Sequence, residues 1–433
     1  MQARASAKAV GERFLLHNSI VGGSTLVAGL LGISFQALVS HRFRPSEFAG
    51  VFSVMTLLTL VSVPAAALTL LMARQTSRDR ASGNYAESTA LLRDGNVALL
   101  AAGVVLALVV AGLSQWVAGF VNAPRGLVIA AAVSLPATLS LPLVLGELQG
   151  QQHFSFYSLL VAGQAALKLV AAIALGITFG AVGVVAGLAI ASTAMYAVAC
   201  FLVRGKLSSR ASAHWLPPAL RYLSLLLPST VALAILLSAD VLLANHFFPK
   251  ATAGEYGAVA ALGRGIFWGA AGVATVLFPK VIFQEARGSN GNRLVTLSIA
   301  LVVLGGVGGL LLLTVMARSV LSAFSGEAYA AGASYLAGYA IAMTLLGCAS
   351  VLIATHQSRG HPTFLAVLVP IAIAEPIAIV ALHRDPAQVV QVLIASLTLL
   401  VAGLVVILIR DGSVTAKRSS IVLAGVLSAE VKA

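Results

Sequence analysis

The chain has 433 residues, of which 59% are hydrophobic and only 9% charged, with a formal charge of +13 and a mean hydropathy of +0.98. Soluble domains carry about 25% charged residues, so this composition excludes a globular enzyme on a single anchor. The positive charge invites a nucleic-acid reading, but most of it falls in short loops between apolar runs, where it orients helices and meets anionic lipid headgroups; no nucleic-acid partner is expected.

About 20 apolar residues cross a bilayer core. On that measure the sequence divides into twelve spans: 14–39, 48–73, 95–120, 126–146, 155–177, 181–203, 222–247, 254–278, 294–317, 330–353, 363–382 and 387–409. The first follows a basic start, Arg4 to Arg13, as a signal peptide would. It is too long for a signal h-region and lacks a small-residue cleavage site, so it is expected to remain as a helix.

Lysine and arginine alternate with the spans. Nineteen lie in the terminal segments and even-numbered loops, from Arg4 and Arg13 through Arg74, Arg80, Arg204 and Lys280 to Lys432. Only six (Arg42, Arg44, Arg125, Lys250, Arg318 and Arg384) lie in the odd-numbered loops. This bias predicts that both termini are cytoplasmic.

The chain also carries signs of an internal duplication. At an offset of 208 positions, Glu47-Phe48 falls on Glu255-Tyr256, and His153 and Phe156 fall on His361 and Phe364. Six spans separate the copies, an even number, so the halves share one orientation and form a parallel repeat about an axis along the membrane normal. The expected fold is therefore an all-α polytopic membrane protein of twelve helices in two six-helix lobes. The expected boundaries are a first lobe at 1–203, a basic cytoplasmic linker at 204–221, a second lobe at 222–410 and a cytoplasmic tail at 411–433, in which Ile421 to Leu427 is too short to span.

Four charges fall inside the spans: Lys168, Asp240, Arg264 and Glu375. A charge at the bilayer centre costs at least about 2.5–3.5 kcal/mol, so such groups face the interior and are paired or functional. Lys168 and Glu375 are 207 positions apart, one short of the repeat offset, which gives them near-equivalent places in the two halves. Asp240 and Arg264 lie on consecutive antiparallel helices, about 10 Å and 16 Å deep at 1.5 Å per residue, which makes a gate or packing ion pair the simplest reading. Glu375 precedes Pro376 and reads equally as a proton acceptor or a counter-ion. Gln164, one turn before Lys168 on the same face, joins it as a cavity residue, and Gln36 is the polar group deep in the first span. Pro136/Pro142 and Pro370/Pro376 predict bent fourth and eleventh helices.

Catalytic patterns are missing. There is no phosphate-binding G-x-x-x-x-G-K-[ST] loop and no nucleophile–base set, so no enzyme activity or cofactor is expected. The two cysteines, Cys200 and Cys348, sit inside spans without a histidine cluster, which gives neither a metal site nor a disulfide.

Three segments together resemble a known family: "FLLHNSIVGGSTLVAGLLGISFQALVSHRFRPSEFAGVFSV", "GELQGQQHFSFYSLLVAGQAALKLV" and "LLPSTVALAILLSADVLLANHFFPKATAGEYGAVAAL". In order and spacing they are similar to polysaccharide-exporter flippases of the multidrug/oligosaccharidyl-lipid/polysaccharide (MOP) superfamily. The resemblance implies translocation of polyprenyl-diphosphate-linked oligosaccharide from the inner to the outer leaflet of a bacterial plasma membrane by alternating access, for cell-surface polysaccharide. It implies a monomer working beside a polysaccharide polymerase and glycosyltransferases. It also implies basic cavity residues for the diphosphate headgroup, matched here by Lys168 and Arg264, with Arg13, Arg42 and Arg44 at the cavity mouths. Two other readings stand beside it: a cation-coupled multidrug exporter of the same superfamily, and a non-transporting scaffold of a glycan-synthesis complex.

Overall fold

The computed structural model describes residues 23–208, 216–286, 292–359 and 362–430, and these are almost wholly helical. The first helices are α1 (Gly23–Arg42), α2 (Pro45–Ser82), α3 (Ala86–Gly112), α4 (Ser114–Phe120), α5 (Arg125–Val133), α6 (Leu135–Gly150), α7 (Phe154–Leu202) and the short α8 (Arg204–Leu207). They are followed by α9 (Leu216–Phe247), α10 (Lys250–Ala286), α11 (Asn292–Val315) and α12 (Ala317–Ser325). A 3₁₀ turn at Glu327–Gly332 leads into α13 (Ala333–Arg359), and another at Pro362–Phe364 into α14 (Leu365–Ala381) and α15 (Pro386–Glu430). We call the end carrying the α1–α2 corner distal.

Ten helices among the described residues are long and apolar enough to cross a membrane. One of them, α7, is 49 residues long and reverses at Gly180, where φ is 60° and ψ −139°, so it crosses twice. With the two arms of α7 taken separately and α10 added, which is not one of the ten, the described residues hold twelve long helical segments, the number expected. The chain is a multi-pass membrane protein. Its outer surface is apolar, as a bilayer requires: Leu108, Trp116, Ile177, Leu304 and Leu399 are all exposed.

The helices differ from the apolar runs in instructive ways. α2 extends to Ser82, about 57 Å at 1.5 Å per residue, against a hydrocarbon core of about 30 Å. Its last turns carry Arg74, Arg78 and Arg80, because a helix satisfies its own backbone whether or not lipid surrounds it. Gly83, at φ 74°, ends it in a left-handed cap. The fourth span breaks at Ser134, with Pro136 in the first turn of α6, whereas α14 continues as one helix through both Pro370 and Pro376. The fifth and sixth spans, expected as separate helices, meet at the single residue Gly180 without an intervening loop.

The chain divides into two compact units. The first holds the described residues of Met1–Leu262, Met316–Ser334 and His383–Pro386; the second holds those of Gly263–Val315, Tyr335–Leu382 and Ala387–Ala433. In the first unit α2 is the central strut, packed along both α6 and α9. Glycines make the α2–α6 seam: a side-chain carbon at Gly146 would lie 2.5 Å from the Thr69 carbonyl oxygen, and one at Gly150 2.5 Å from Thr76 Cβ. This four-residue repeat of glycine is the small-residue device by which membrane helices approach closely. Thr69 Oγ1 then donates to the Pro142 carbonyl across the seam at 2.9 Å, which satisfies a polar group beside a helix proline.

The second unit uses the same device. Gly306 of α11 faces Thr344 of α13, Gly347 of α13 faces Ala270 of α10, and Gly403 of α15 faces Val367 of α14. Ala270, Val295, Val302, Cys348 and Val351 form its apolar cluster. Both cysteines are free thiols.

Gly146→Val should therefore lower thermal stability by about 1–3 kcal/mol, the usual penalty of overpacking, or abolish folded yield. Gly29→Val, at a position with no atom within 4 Å of the added carbon, should leave the unfolding midpoint in detergent unchanged.

Candidate functional site

The α7 hairpin places the site. Gly180 turns the chain so that residues equidistant from it face one another, and glycines let the two arms touch. A side-chain carbon at Gly183 would sit 1.9 Å from the Leu175 carbonyl oxygen, and one at Gly187 2.5 Å from the Ala172 nitrogen. Farther along the arms, Gln164 Nε2 reaches Ser192 Oγ at 3.5 Å, a long and weak bond.

One turn beyond Gln164, the Lys168 ammonium lies 4.8 Å from the centroid of the Phe35 ring of α1. Phe35 is 2% exposed, so this cation–π contact lies in a partly desolvated place. Within its unit, among the described residues, no carboxylate pairs with Lys168. Gln36, next along α1, has a buried side-chain oxygen without a hydrogen-bond partner among the described residues. The first unit thus holds a cation within its spans that pairs with no acid among the described residues, one turn from Gln164 and against the residue next to Gln36. Such a group suits an anion that brings its own charge.

The other sequence-derived candidates are placed differently. Asp240 of α9 is 1% exposed and accepts a 3.0 Å hydrogen bond from the Tyr256 hydroxyl of α10. The Tyr256 phenol is thus one partner of this carboxylate. Arg264 of α10 and Glu375 of α14 are both buried and belong to the second unit. Arg42 and Arg44 are exposed at the α1–α2 corner, with the Arg42 guanidinium 5.8 Å from the Phe43 ring. Arg13 lies outside the described residues.

Sequence reasoning passed over Glu147. The apolar run ends at 146, which left Glu147 as the start of a polar loop, yet α6 continues to Gly150 and Glu147 is 0% exposed. Its Oε2 accepts from Thr76 Oγ1 at 2.5 Å, and its Oε1 pairs with Lys206 Nζ at 2.5 Å and accepts from Gln151 Nε2. Nearby, Asp79 Oδ2 accepts from the Ser88 backbone N–H at 2.7 Å near the start of α3. These acids tie α2, α3, α6 and α8 together at the proximal end. The available signal was a lone acid in G-E-L-Q-G-Q, with a glutamine one turn on.

Removing one partner of a buried ion pair strands the other charge and costs about 3–5 kcal/mol. Glu147→Ala should lose stability of that order in a denaturant titration. Asp94→Ala, at a part-exposed pair with Arg93, should lose about 0–1 kcal/mol.

No model of a known protein family matches the chain, and no curated protein matches its sequence. Solved structures do match over nearly its full length. The lipid II flippase MurJ, in an inward closed conformation, superposes with a TM-score of 0.73 at 13% identity, covering 90% of this chain and 87% of that one. An inward-facing multidrug resistance transporter of the MATE family, in the MOP superfamily, superposes with a TM-score of 0.70 at 13% identity, covering 93% and 99%. A MOP superfamily transporter from Pyrococcus furiosus, whose binding pocket is described as reversed in polarity, gives a TM-score of 0.60 at 13% identity over 90% and 93%. The chain has the two-lobed, all-helical fold of these MOP superfamily transporters.

Proposed function

We propose that the protein is a flippase for polyprenyl-diphosphate-linked oligosaccharide, moving it from the inner to the outer leaflet by alternating access during cell-surface polysaccharide synthesis. The observation that supports this reading is Lys168: a cation inside the spans, seated on Phe35 and without a carboxylate in its unit among the described residues. A diphospho-sugar headgroup does not cross about 30 Å of hydrocarbon unaided. A lysine with open donors holds diphosphate oxygens through charge-assisted hydrogen bonds, while Gln36 and Gln164 offer amides to the sugar hydroxyls and the polyprenyl tail stays in lipid. Arg264 is the second candidate cation. The six-helix lobes 1–203 and 222–410 are the bodies we propose to rock, in a bacterial plasma membrane with both termini cytoplasmic. Lipid-linked sugar is the partner, with polymerase and glycosyltransferases upstream and downstream.

The second reading, a cation-coupled multidrug exporter, draws on the buried carboxylates of Asp240 and Glu375 and on the MATE-family structures of the same fold. A cationic drug needs an acid free to meet it, and Asp240 is already engaged by Tyr256. For that reason we place it second.

Reconstitution in liposomes separates the two. Transbilayer movement of a short polyprenyl-diphospho-oligosaccharide should slow about tenfold or more in Lys168→Ala, the loss expected for one hydrogen bond to a charged group. Lys168→Arg should retain part of the rate, and Arg264→Ala is to be measured alongside. No movement of any lipid-linked sugar, together with proton-coupled efflux of a cationic dye, would replace the flippase reading with the exporter.

A further inference from the structure

The second arm of α7 carries a stripe of small residues from Ala186 to Ala197, interrupted by Ile190 and Thr193, at the three- and four-residue spacing of one helix face. Ala130 and Val133, the last residue of α5, stand opposite, and a cavity of about 490 Å³ lies between the two helices. Thr193 brings the only polar side-chain group among its lining residues, and all of them belong to the first unit. The cavity adjoins the break of the fourth span at Ser134. It opens on the apolar outer surface, where Val133 is 61% exposed and Ile190 50%. Apolar cavities stay dry, and an empty one leaves its lining without dispersion contacts. In a bilayer, a groove of this kind takes a hydrocarbon chain.

The proximal end of the stripe carries a different chemistry. Phe201, one turn beyond Ala197 on the same face, is largely exposed, and the Arg204 guanidinium lies 4.3 Å from the centroid of its ring. Arg204 is itself exposed, and no carboxylate pairs with it among the described residues. It stands two residues before Lys206, whose bond to Glu147 marks the proximal end. An aromatic ring with a cation at the end of a span lies at the level of lipid headgroups. At 1.5 Å per residue the stripe starts about 10 Å from Arg204 and runs about 16 Å farther, roughly the depth of one leaflet of a core about 30 Å thick.

We propose that this groove binds one anionic phospholipid of the proximal leaflet, with an acyl chain along the α7 stripe and the phosphate on Arg204. Two features favour a phospholipid over the polyprenyl diphosphate of the proposed transport reaction. The groove is one leaflet deep, as an acyl chain is, and Arg204 offers a single charge, which matches a phosphate diester rather than a diphosphate. Hydrocarbon is as well solvated in bulk lipid as in the groove, so the chain supplies fit and the headgroup supplies preference. The site is separate from Lys168, which lies on the other arm of α7 against Phe35 of α1.

The test uses nanodiscs doped with phosphatidylglycerol or phosphatidylcholine carrying a photoreactive diazirine on the acyl chain, with crosslinks located by mass spectrometry. Phosphatidylglycerol should label residues 186–197 about fivefold more than phosphatidylcholine, the preference that one basic residue at a membrane surface provides. Arg204→Ala should remove that preference, and Arg204→Lys should keep most of it. Ala189→Phe, which fills the middle of the groove, should lower labelling of the stripe by both lipids. The exposed α11 surface at Leu301 and Leu304 should label equally with the two lipids in every variant. Equal labelling of the stripe in the unaltered protein, or a preference unchanged in Arg204→Ala, would mean ordinary bilayer contact and overturn the site. Loss of the phosphatidylglycerol crosslink on adding polyprenyl diphosphate at equal mole fraction would give the groove to that tail, and overturn it as well.

Discussion

Hydrocarbon gives a polar group no partner, and the arrangement of this protein follows from how each polar group is supplied with one. Backbone groups are satisfied within helices, so the chain is helical almost throughout. Beside a helix proline, a threonine hydroxyl of the neighbouring helix finds a backbone acceptor, as Thr69 does in the Pro142 carbonyl. The buried carboxylate of Glu147 collects several donors, from Thr76, Gln151 and Lys206. Water drives no apolar association inside a bilayer, so the helices hold together by close fit, and glycine supplies it at the α2–α6 seam, in the α7 hairpin and throughout the second unit.

Against that background Lys168 stands out. The buried polar groups of the first unit are mostly engaged, whereas this part-buried ammonium rests on the face of Phe35, next in sequence to a glutamine whose oxygen has no partner among the described residues. A protein that needed only to pack would have placed a leucine there. On the proposed reading, the half-satisfied condition suits a site that receives and releases an anion, because a built-in carboxylate would compete with the ligand at every turn.

Much of this was legible in the sequence, for a plain reason: twenty apolar residues and a bias of charge are strong, local signals. They marked out the ten long apolar helices found among the described residues. The signal weakened wherever the decisive contact was distant or lay at a boundary. Glu147 was missed by one residue, because hydropathy fell at 146 while the helix went on to Gly150. The fifth and sixth spans were legible as two helices, but composition did not register that a single positive-φ glycine makes the whole turn between them. Tyr329 carried no signal: the hydroxyl of an aromatic residue in a short loop meets the Ser40 and Phe43 carbonyls only once the chain is folded.

The turn at Gly180 has a consequence for how the chain is made. With no polar loop between them, the fifth and sixth spans offer nothing for a translocation channel to pass across separately, and the 49 residues of α7 enter the membrane as one wedge. The insertion penalty of Lys168 is then shared by a hairpin whose mean hydropathy reaches 2.4. Any residue but glycine at the bend would be strained at φ 60° and ψ −139°, whatever its size, and would weaken the turn that pairs the two arms.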